Sequence, residues 1–439
     1  MKRTTERAPK TRLLGGALAL LMLLTASFPT AFAEAENSVN PTKTVKSAIL
    51  YTIDDAGKLE YNVVYSGAIT GETEVKDRTF HGIDTVEELD EVLGEADAPA
   101  LEFGTEVGDR TLGKKAVTAD LVVDGNGNVA SITVTKLEKR PTVGISWQAD
   151  TIEPEYLNHA EIFERNGAYA VYLPQITDAE SAREVLSQVD GVFVTGGEDW
   201  NPALYGETAY VHGSNGWNDV RDVSDLNLLQ QAIAMDVPML AVCRGAQGLN
   251  VALGGGLIQD IGTYLGQKVQ NGEEDASRVS VVMDDSSCET PHYRVVLDGV
   301  DHRGATDYNY HTIAGGVDNE NVAIDKTKSK WMYQILGTDS LNFVATWHHQ
   351  AANPERIGKG LTVVARSSDG IVEAIEYQDN LFALGLQFHP EHDALSGTCV
   401  DSYGNVIDQN KDQCNALLGA LVHYAGIQKT RTGVLSFLK

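Results

Sequence analysis

Three residues, in two segments that lie far apart in the sequence, have the types needed for nucleophilic attack on a carbonyl group. The first, Cys243, sits within "PMLAVCRGAQGLN", between an apolar run and a segment that favours a helix. Small residues, Ala241 and Gly245, stand two positions on either side, as expected where a chain turns sharply from strand to helix. The positive end of that helix would stabilise the reactive thiolate. The alternative is a small buried side chain, the usual role of a lone cysteine in an apolar strand.

A base and a residue that could orient it occur in "LFALGLQFHPEHD". Residues 382–388 are typical of a strand, and His389 follows them immediately. Glu391 can turn back and hold the imidazole in the productive tautomer. The backbone amide of Arg244 would point to where an oxyanion develops, and the glycine pair 196–197 offers a second amide. Together these residues predict acyl transfer through a cysteine nucleophile.

The elements that must position these residues begin at Thr142. Apolar strand-like runs, "TVGIS", "YAVYLP", "GVFVTGG" and "MLAV", alternate with helical segments. Strands that are apolar throughout and separated by single helices predict a parallel sheet covered on both faces. Sites in such sheets lie beyond the carboxyl ends of the strands. Because residues 195–197 and Cys243 both follow strands, we expect them to lie close together. The predicted fold is α/β, with a doubly wound, mostly parallel sheet.

The N-terminal region differs from this pattern. Residues 1–33 combine a basic start, an apolar run and an A-x-A ending, which predicts a secretory signal peptide cleaved after Ala33. An uncleaved membrane anchor is the alternative, although the run is short for a bilayer span. Residues 34–139 predict a small β-rich or α+β domain of unknown role, with one helix over 85–96 and a hairpin turn at 124–127.

The remaining boundaries follow from the same pattern. The hydrolase-type domain is predicted over residues 140–428, and residues 429–439 are predicted to form a C-terminal tail. The export signal predicts a secreted or extracytoplasmic protein, without membrane attachment once the signal is removed.

The chain is strongly acidic, with a formal charge of −28. Removal of residues 1–33, which carry a net charge of +4, would leave −32. Such a chain would repel nucleic acid and anionic membranes, so neither is expected as a partner. A long polyanionic substrate is disfavoured for the same reason. A homodimer stays open at this stage.

Four cysteines give several pairing alternatives in an exported protein. Cys399 and Cys414 flank a polar loop and are the predicted disulfide, which would stabilise the fold by roughly 3 kcal/mol. Cys288 has no obvious partner. A Cys243–Cys288 disulfide, which sequence alone leaves open, would block the predicted nucleophile.

Five motifs carry a resemblance to a known family. In chain order they are Gly196-Gly197-x-Asp199-x-x-Pro202-x-x-Tyr205, Arg221-Asp222, Cys243-Arg244-Gly245-x-Gln247-x-Leu249-Asn250-Val251, His348-His349-Gln350 and Phe388-His389-Pro390-Glu391. The segment from about Thr142 to Ala425 resembles the class I glutamine amidotransferase-like superfamily. Within it, the chain is most similar to the γ-glutamyl hydrolase branch, which includes γ-glutamyl-γ-aminobutyrate hydrolase.

This resemblance implies a Cys-His-Glu triad that attacks a γ-glutamyl amide and passes through a γ-glutamyl thioester, without a cofactor. Cys243, His389 and Glu391 take the triad roles. The amides of Gly197 and Arg244 form the oxyanion site. The residues that match the substrate pocket are Gln247, His348, His349 and Gln350. Arg221 is either a further substrate-binding residue or half of a structural ion pair with Asp222.

The chain also departs from the family pattern. Ala241 stands where a glycine is usual, and Asp225 stands where a glutamate is usual. Two histidine-rich segments, 348–349 and 389–392, could be interpreted as a metal site. Since no His-x-x-x-His pair of a helix accompanies them, no metal is predicted.

These observations predict an exported hydrolase that cleaves γ-glutamyl amide bonds of small peptides or amines, with water as the acyl acceptor. Two alternatives remain. The protein could be a glutaminase that supplies a separate partner, or a catalytically inactive binding protein on the same fold.

Overall fold

The computed structural model describes residues 43–53, 59–65, 105–106, 115–123, 129–138, 140–147, 157–209, 216–283, 293–297, 321–342, 344–395 and 411–437. The predicted signal peptide, the predicted helix over 85–96, Cys288 and Cys399 lie outside these ranges. The chain divides into two compact units.

The first unit contains a four-stranded sheet. Its strands are β1 (Lys43–Ile53), β2 (Leu59–Tyr65), β4 (Lys115–Val123) and β5 (Val129–Glu138), in the spatial order β2-β1-β4-β5. The strands predicted in this region are therefore present, and the two runs on either side of the predicted hairpin turn are neighbours. Strand β3 (Thr105–Glu106) belongs to the second unit and pairs with the sheet of that unit.

The second unit contains a ten-stranded sheet in the order β14-β13-β16-β17-β18-β9-β8-β6-β7-β3. Its remaining strands are β6 (Thr142–Ile145), β7 (Tyr169–Tyr172), β8 (Gly191–Val194), β9 (Met239–Val242), β13 (Val322–Ile324), β14 (Ser340–Leu341), β16 (Leu361–Ser367), β17 (Val372–Tyr377) and β18 (Ala383–Leu386). Two short pairs lie outside it: β10 (Leu257–Ile258) with β15 (Ala351–Ala352), and β11 (Val279–Met283) with β12 (Tyr293–Leu297).

The parallel part of this sheet confirms the predicted α/β fold. Strands β7, β6, β8, β9 and β18 are neighbours in this order, and every pair among them is parallel. Antiparallel strands extend the sheet beyond β18 and beyond β7. The order corresponds to 2-1-3-4-5, one of the two common doubly wound arrangements. The carboxyl ends of β8, β9 and β18 therefore meet at one edge of the sheet.

Helices cover both faces of this sheet. They are α1 (Leu157–Arg165), α2 (Ala179–Leu186), α3 (Asp219–Ala234), α4 (Arg244–Ala252), α5 (Ile261–Gln270), α6 (Met332–Leu336), α7 (Pro390–Leu395) and α8 (Lys411–Phe437), with 3-10 turns at Pro202–Tyr205 and Ala276–Arg278. Along β9, Leu240 and Val242 belong to the core that contains Phe163 of α1. Met239 and Ala241 belong to the opposite core. This alternation explains why the strand is apolar at every position.

Helix α8 continues beyond the predicted domain boundary at residue 428. Residues 429–437, set apart by the sequence as a tail, are part of the helix. Lys429 Nζ lies 3.0 Å from Asp190 Oδ2, and an Arg431 guanidinium nitrogen lies 3.0 Å from Asp236 Oδ2. No helix within the described ranges combines the length and the apolar composition needed to cross a bilayer.

Candidate active site

The cysteine that the sequence singles out lies on a strained turn between β9 and α4. Its backbone has φ 50° and ψ −109°, a combination that costs a non-glycine residue of order 1–3 kcal/mol. The Cys243 amide donates to the Leu386 carbonyl at 2.7 Å, which fixes the turn to the neighbouring strand β18. A Cβ atom on Gly245 would lie 2.4 Å from the Val194 carbonyl oxygen. The turn therefore has no room for a side chain at Gly245, one of the two small residues from which the turn was predicted.

The Cys243 side chain is buried and carries a free thiol. Its Sγ lies 4.0 Å from the Trp347 carbonyl oxygen. A cysteine that is not part of a disulfide can act as a nucleophile. The predicted Cys399–Cys414 disulfide stays a prediction, because Cys399 lies outside the described ranges.

His389 and Glu391 follow the adjacent parallel strand β18. Strands β9 and β18 pair in register, with Val242 opposite Leu386, so both chains leave the sheet at the same edge. His389 Nδ1 donates to Glu391 Oε1 at 2.7 Å, which assigns this hydrogen to Nδ1 and leaves Nε2 for the nucleophile. Glu391 is 2% exposed, so little water competes for this bond.

The electrostatics of His389 favour a protonated imidazole. Burial by itself would lower the pKa of His389. The negative charges of Glu391 and Cys243, together with the hydrogen bonds to both side chains, raise this pKa well above the usual value. The arrangement therefore places a readily protonated imidazole beside the Cys243 sulfur, as a cysteine nucleophile requires.

The glycine pair after β8 closes the third side of the site. A Cβ atom on Gly196 would lie 2.8 Å from His389 Cε1 and 3.5 Å from Cys243 Cβ. The predicted proximity of this turn to the cysteine is therefore confirmed. Gly197 has φ +147°, and a Cβ atom there would overlap the Arg221 guanidinium. Both glycines are needed, one for the approach to the imidazole and one for the approach to the arginine.

Two buried arginines hold the predicted oxyanion amides. Arg221 donates to the Gly196 carbonyl at 2.6 Å and to Thr195 Oγ1 at 2.9 Å. It also pairs with Glu198 and Asp225. These contacts brace the glycine turn. From the sequence, the alternative to a substrate-binding role for Arg221 was a structural ion pair with Asp222. The structure instead pairs Arg221 with Glu198 and Asp225.

Arg244 is the second of these arginines and the first residue of α4. Its guanidinium pairs with Asp222, at 2.5 Å, and with Asp225, and it stacks over the Trp200 ring at 4.0 Å. Burial, followed by the positive charge of Arg221, lowers the pKa of Arg244. The first hydrogen bond within α4 runs from the Gln247 amide to the Cys243 carbonyl, so the Arg244 amide precedes the intrahelical ladder. Such an amide is available to an oxyanion.

The predicted substrate-pocket residues form a buried polar layer next to the triad. Gln247 Nε2 donates to the Gln350 carbonyl at 3.0 Å, and His348 Nδ1 donates to the same oxygen at 2.8 Å. His349 Nε2 lies 3.1 Å from both carboxylate oxygens of Asp199. The structure thus connects the double histidine to the loop that follows the glycine pair.

His349 also has a buried carboxylate on its other side. Its Nδ1 lies 3.7 Å from Asp260 Oδ1. Burial would raise the pKa of Asp260, but the nearby His349 and the hydrogen bonds from Thr263 lower it to about 2. His349 therefore lies between two carboxylates, Asp199 and Asp260.

Sequence reasoning missed two aromatic side chains at the site, Trp347 and His159, and considered a third, His392, only as a possible metal ligand. The Trp347 and His392 rings pack edge-on against the His389 ring, with centroid distances of 5.4 and 5.2 Å. His159 Nε2, from α1, lies 4.0 Å from Glu391 Oε1. Trp347 could have been found from its position before the double histidine. No local pattern distinguishes His159, because its contact depends on the packing of α1.

Within the described ranges, His389, Glu391 and His392 bring potential ligand atoms within 4.8 Å of one another. His389 Nδ1 and Glu391 Oε1 are already joined by the 2.7 Å hydrogen bond. A metal ion would have to displace the interaction that orients the imidazole.

Asp393 is a buried carboxylate behind the triad, and it gives a pH-dependent prediction. Its Oδ2 accepts from the Ala345 amide at 3.2 Å, and burial raises its pKa to about 6. Between its unfolded pKa and about 6, the native state binds more protons than the unfolded state, so stability falls as the pH rises. Asp393→Asn is expected to remove this loss. Relative to the wild type, the variant should gain about 2 kcal/mol between pH 4 and pH 7.

Urea unfolding followed by tryptophan fluorescence at both pH values measures this gain. All five tryptophans lie in the predicted hydrolase-type domain, so the signal reports on that region. An equal effect of the substitution at both pH values would contradict the assignment.

Comparison with known proteins agrees with this geometry. Residues 132–391 match the family model Peptidase C26. The chain belongs to the Peptidase C26 family. The family segment contains β6 to β18 of the sheet and all three residues of the predicted triad.

Relatives of this Peptidase C26 chain include a glutamine amidotransferase-like protein of Rickettsia prowazekii, 29% identical over 245 residues, which cover 54% of this chain and 81% of the relative. The γ-glutamyl-γ-aminobutyrate hydrolase of Escherichia coli is 26% identical over 250 residues, which cover 55% and 78%. A solved glutamine amidotransferase from Thermotoga maritima aligns with a TM-score of 0.35 and 14% identity, covering 66% of this chain and 98% of that one. The chain is a glutamine amidotransferase-like hydrolase.

Proposed function

We propose that the protein is an exported hydrolase that cleaves γ-glutamyl amide bonds of small peptides or amines. The observation that carries this proposal is the contact chain from Cys243 through His389 to Glu391. It lies at the carboxyl ends of two adjacent parallel strands, with the cysteine on a strained turn. Export rests on the sequence of residues 1–33, and the substrate class is that of the E. coli relative.

The reaction follows from the roles of these three residues. The Cys243 thiolate forms a bond to the γ-carbonyl carbon of the substrate, and the carbonyl electron pair moves to oxygen. The amides of Gly197 and Arg244 are the donors proposed for that oxyanion. His389, held as imidazolium beside Glu391, gives its proton to the amide nitrogen. The carbon–nitrogen bond breaks and leaves a γ-glutamyl thioester and a free amine.

Water completes the cycle. His389, now neutral, removes a proton from a water molecule, whose oxygen attacks the thioester carbonyl. Collapse of the second tetrahedral intermediate releases glutamate, and the sulfur leaves as thiolate. The imidazole keeps the proton that it took from water, so the starting ion pair is restored. Glu391 keeps the same imidazole tautomer through both halves of the reaction.

The test is a substrate panel. The chain from Glu34 onward, under reducing conditions, is incubated with γ-glutamyl peptides, γ-glutamyl amines and glutamine, and products are followed by mass spectrometry. Release of glutamate from γ-linked peptides or amines is the expected result. Turnover of glutamine alone would instead favour a glutaminase. No turnover of any compound would overturn the proposal and favour a binding protein on this fold.

A further inference from the structure

Two aromatic side chains, Trp347 and His392, form a wall beside the catalytic pair. Their ring centroids lie 5.1 Å apart, and each packs edge-on against His389. The Trp347 carbonyl oxygen lies 4.0 Å from Cys243 Sγ. Trp347 is partly exposed, and the His392 side chain is 34% exposed. This aromatic wall thus extends from the two reacting side chains towards solvent.

The chemistry determines what must lie against such a wall. The amine that leaves the substrate takes its proton from His389, so its nitrogen must come within hydrogen-bond distance of that imidazole. The group bonded to this nitrogen then extends past the side chains that surround His389. Among the described residues, Trp347 and His392 both pack on His389 and are both partly exposed, so they lie where the leaving group would extend.

The two rings of the wall are aromatic and uncharged. Burial, with a contribution from the nearby His159, lowers the pKa of His392 to about 3, so the ring is neutral at pH 7. The two carboxylates on the same helix, Glu391 and Asp393, are buried, being 2% and 8% exposed. Flat uncharged rings favour stacking and apolar contacts. They offer no positive charge to a carboxylate on the leaving group.

We propose that Trp347 and His392 form the leaving-group subsite, and that it selects γ-glutamyl amides whose amine carries an aromatic or large apolar group. This inference rests on the proposed γ-glutamyl hydrolase function. It separates the protein from the E. coli relative, whose name specifies γ-aminobutyrate, a small leaving group with a carboxylate.

The experiment compares kcat/KM of the full chain for γ-glutamylphenylalanine, γ-glutamylglycine and γ-glutamyl-γ-aminobutyrate under reducing conditions. Because one well-placed apolar contact changes kcat/KM by about 10-fold or more, the phenylalanine compound should exceed each of the others by about that factor. Trp347→Ala should bring the phenylalanine-to-glycine ratio close to one. Trp347→Phe, which keeps an aromatic ring, should retain most of it.

The ratio distinguishes a subsite from a structural role. A variant that merely disturbs the position of His389 would slow both substrates equally and leave the ratio unchanged. If Trp347→Ala does not fold, His392→Ala provides the same readout and should lower the ratio by severalfold. No preference in the native protein, or an unchanged ratio in these variants, would overturn the subsite. Absence of glutamate release from every γ-linked compound would instead overturn the proposed function.

Discussion

Replacing Cys243 with alanine is expected to reduce glutamate release from γ-linked substrates by about 100,000-fold, because the reaction loses the atom that bonds to the carbonyl carbon. Alanine retains the Cβ atom and leaves the turn between β9 and α4 unchanged. The measurement is kcat/KM, together with intact-protein mass spectrometry of rapidly quenched reactions. The native chain should accumulate a γ-glutamyl adduct on Cys243, and the variant should show none.

Cys414→Ala, assayed under reducing conditions that would open its predicted disulfide with Cys399, is the matched control, since Cys414 is a second buried cysteine and takes no part in the proposed reaction. It should retain most of the activity. A Cys243→Ala chain that still releases glutamate at a comparable rate would show that another residue supplies the nucleophile.

The strain at Cys243 adds a second, independent signature. Glycine tolerates positive φ with negative ψ, whereas alanine does not. Cys243→Gly is therefore expected to be as inactive as Cys243→Ala but more stable by about 1 kcal/mol, since it releases strain that the alanine variant retains. Urea unfolding of the two variants, followed by tryptophan fluorescence, measures the difference. Equal stability would mean that the turn stores no strain.

The sequence predicted the frame of the site because the relevant signals are local. Each apolar run before a small-residue turn became a parallel strand, and the residues after these strands converged at one edge of the sheet. For this reason the sequence could predict that Gly196, Cys243 and His389 lie close together. Parallel strands covered by helices leave little freedom in where their carboxyl ends lie.

The pairing of the arginines was harder to predict. Arg221 and Asp222 are adjacent in the chain, but adjacent residues on a helix point in directions about 100° apart. Arg221 and Asp225, four residues apart, share one face and pair. Asp222 instead turns towards Arg244, which enters from the next helix. The i to i+4 spacing was a usable signal, whereas the contact between helices depended on packing.

Other parts of the site had no local signal at all. His159 reaches Glu391 only because α1 packs beside α7, across more than 200 residues of sequence. The strand pair of Thr105–Glu106 with β7 involves two residues, too few for a periodic pattern. Contacts of this kind follow from the assembled fold and not from any short window of sequence.

Asp225 is where we expect the largest loss of stability. Its side chain is 0% exposed, and one oxygen, Oδ2, accepts from Arg221 and from Arg244. Asp225→Ala would leave two arginines, each 1% exposed, without their shared counter-charge. Removing one partner of a buried ion pair costs about 3–5 kcal/mol, because the remaining charge stays desolvated. Urea unfolding by tryptophan fluorescence should show a loss of this size.

The same substitution should also reduce activity, because both arginines hold groups of the proposed oxyanion site. Arg221 holds the Gly196 carbonyl and Arg244 contributes its own amide, so a shift of either changes the position of a donor. Asp219→Ala, in the exposed first turn of the same helix, is the matched control; it removes a hydrogen bond from Asn201 and should cost about 1 kcal/mol or less. Equal effects of the two substitutions would mean that the arginines do not depend on Asp225. A large loss for Asp225→Ala alone would mean that one buried carboxylate holds both sides of the proposed oxyanion site, which is why a charge is retained at this buried position.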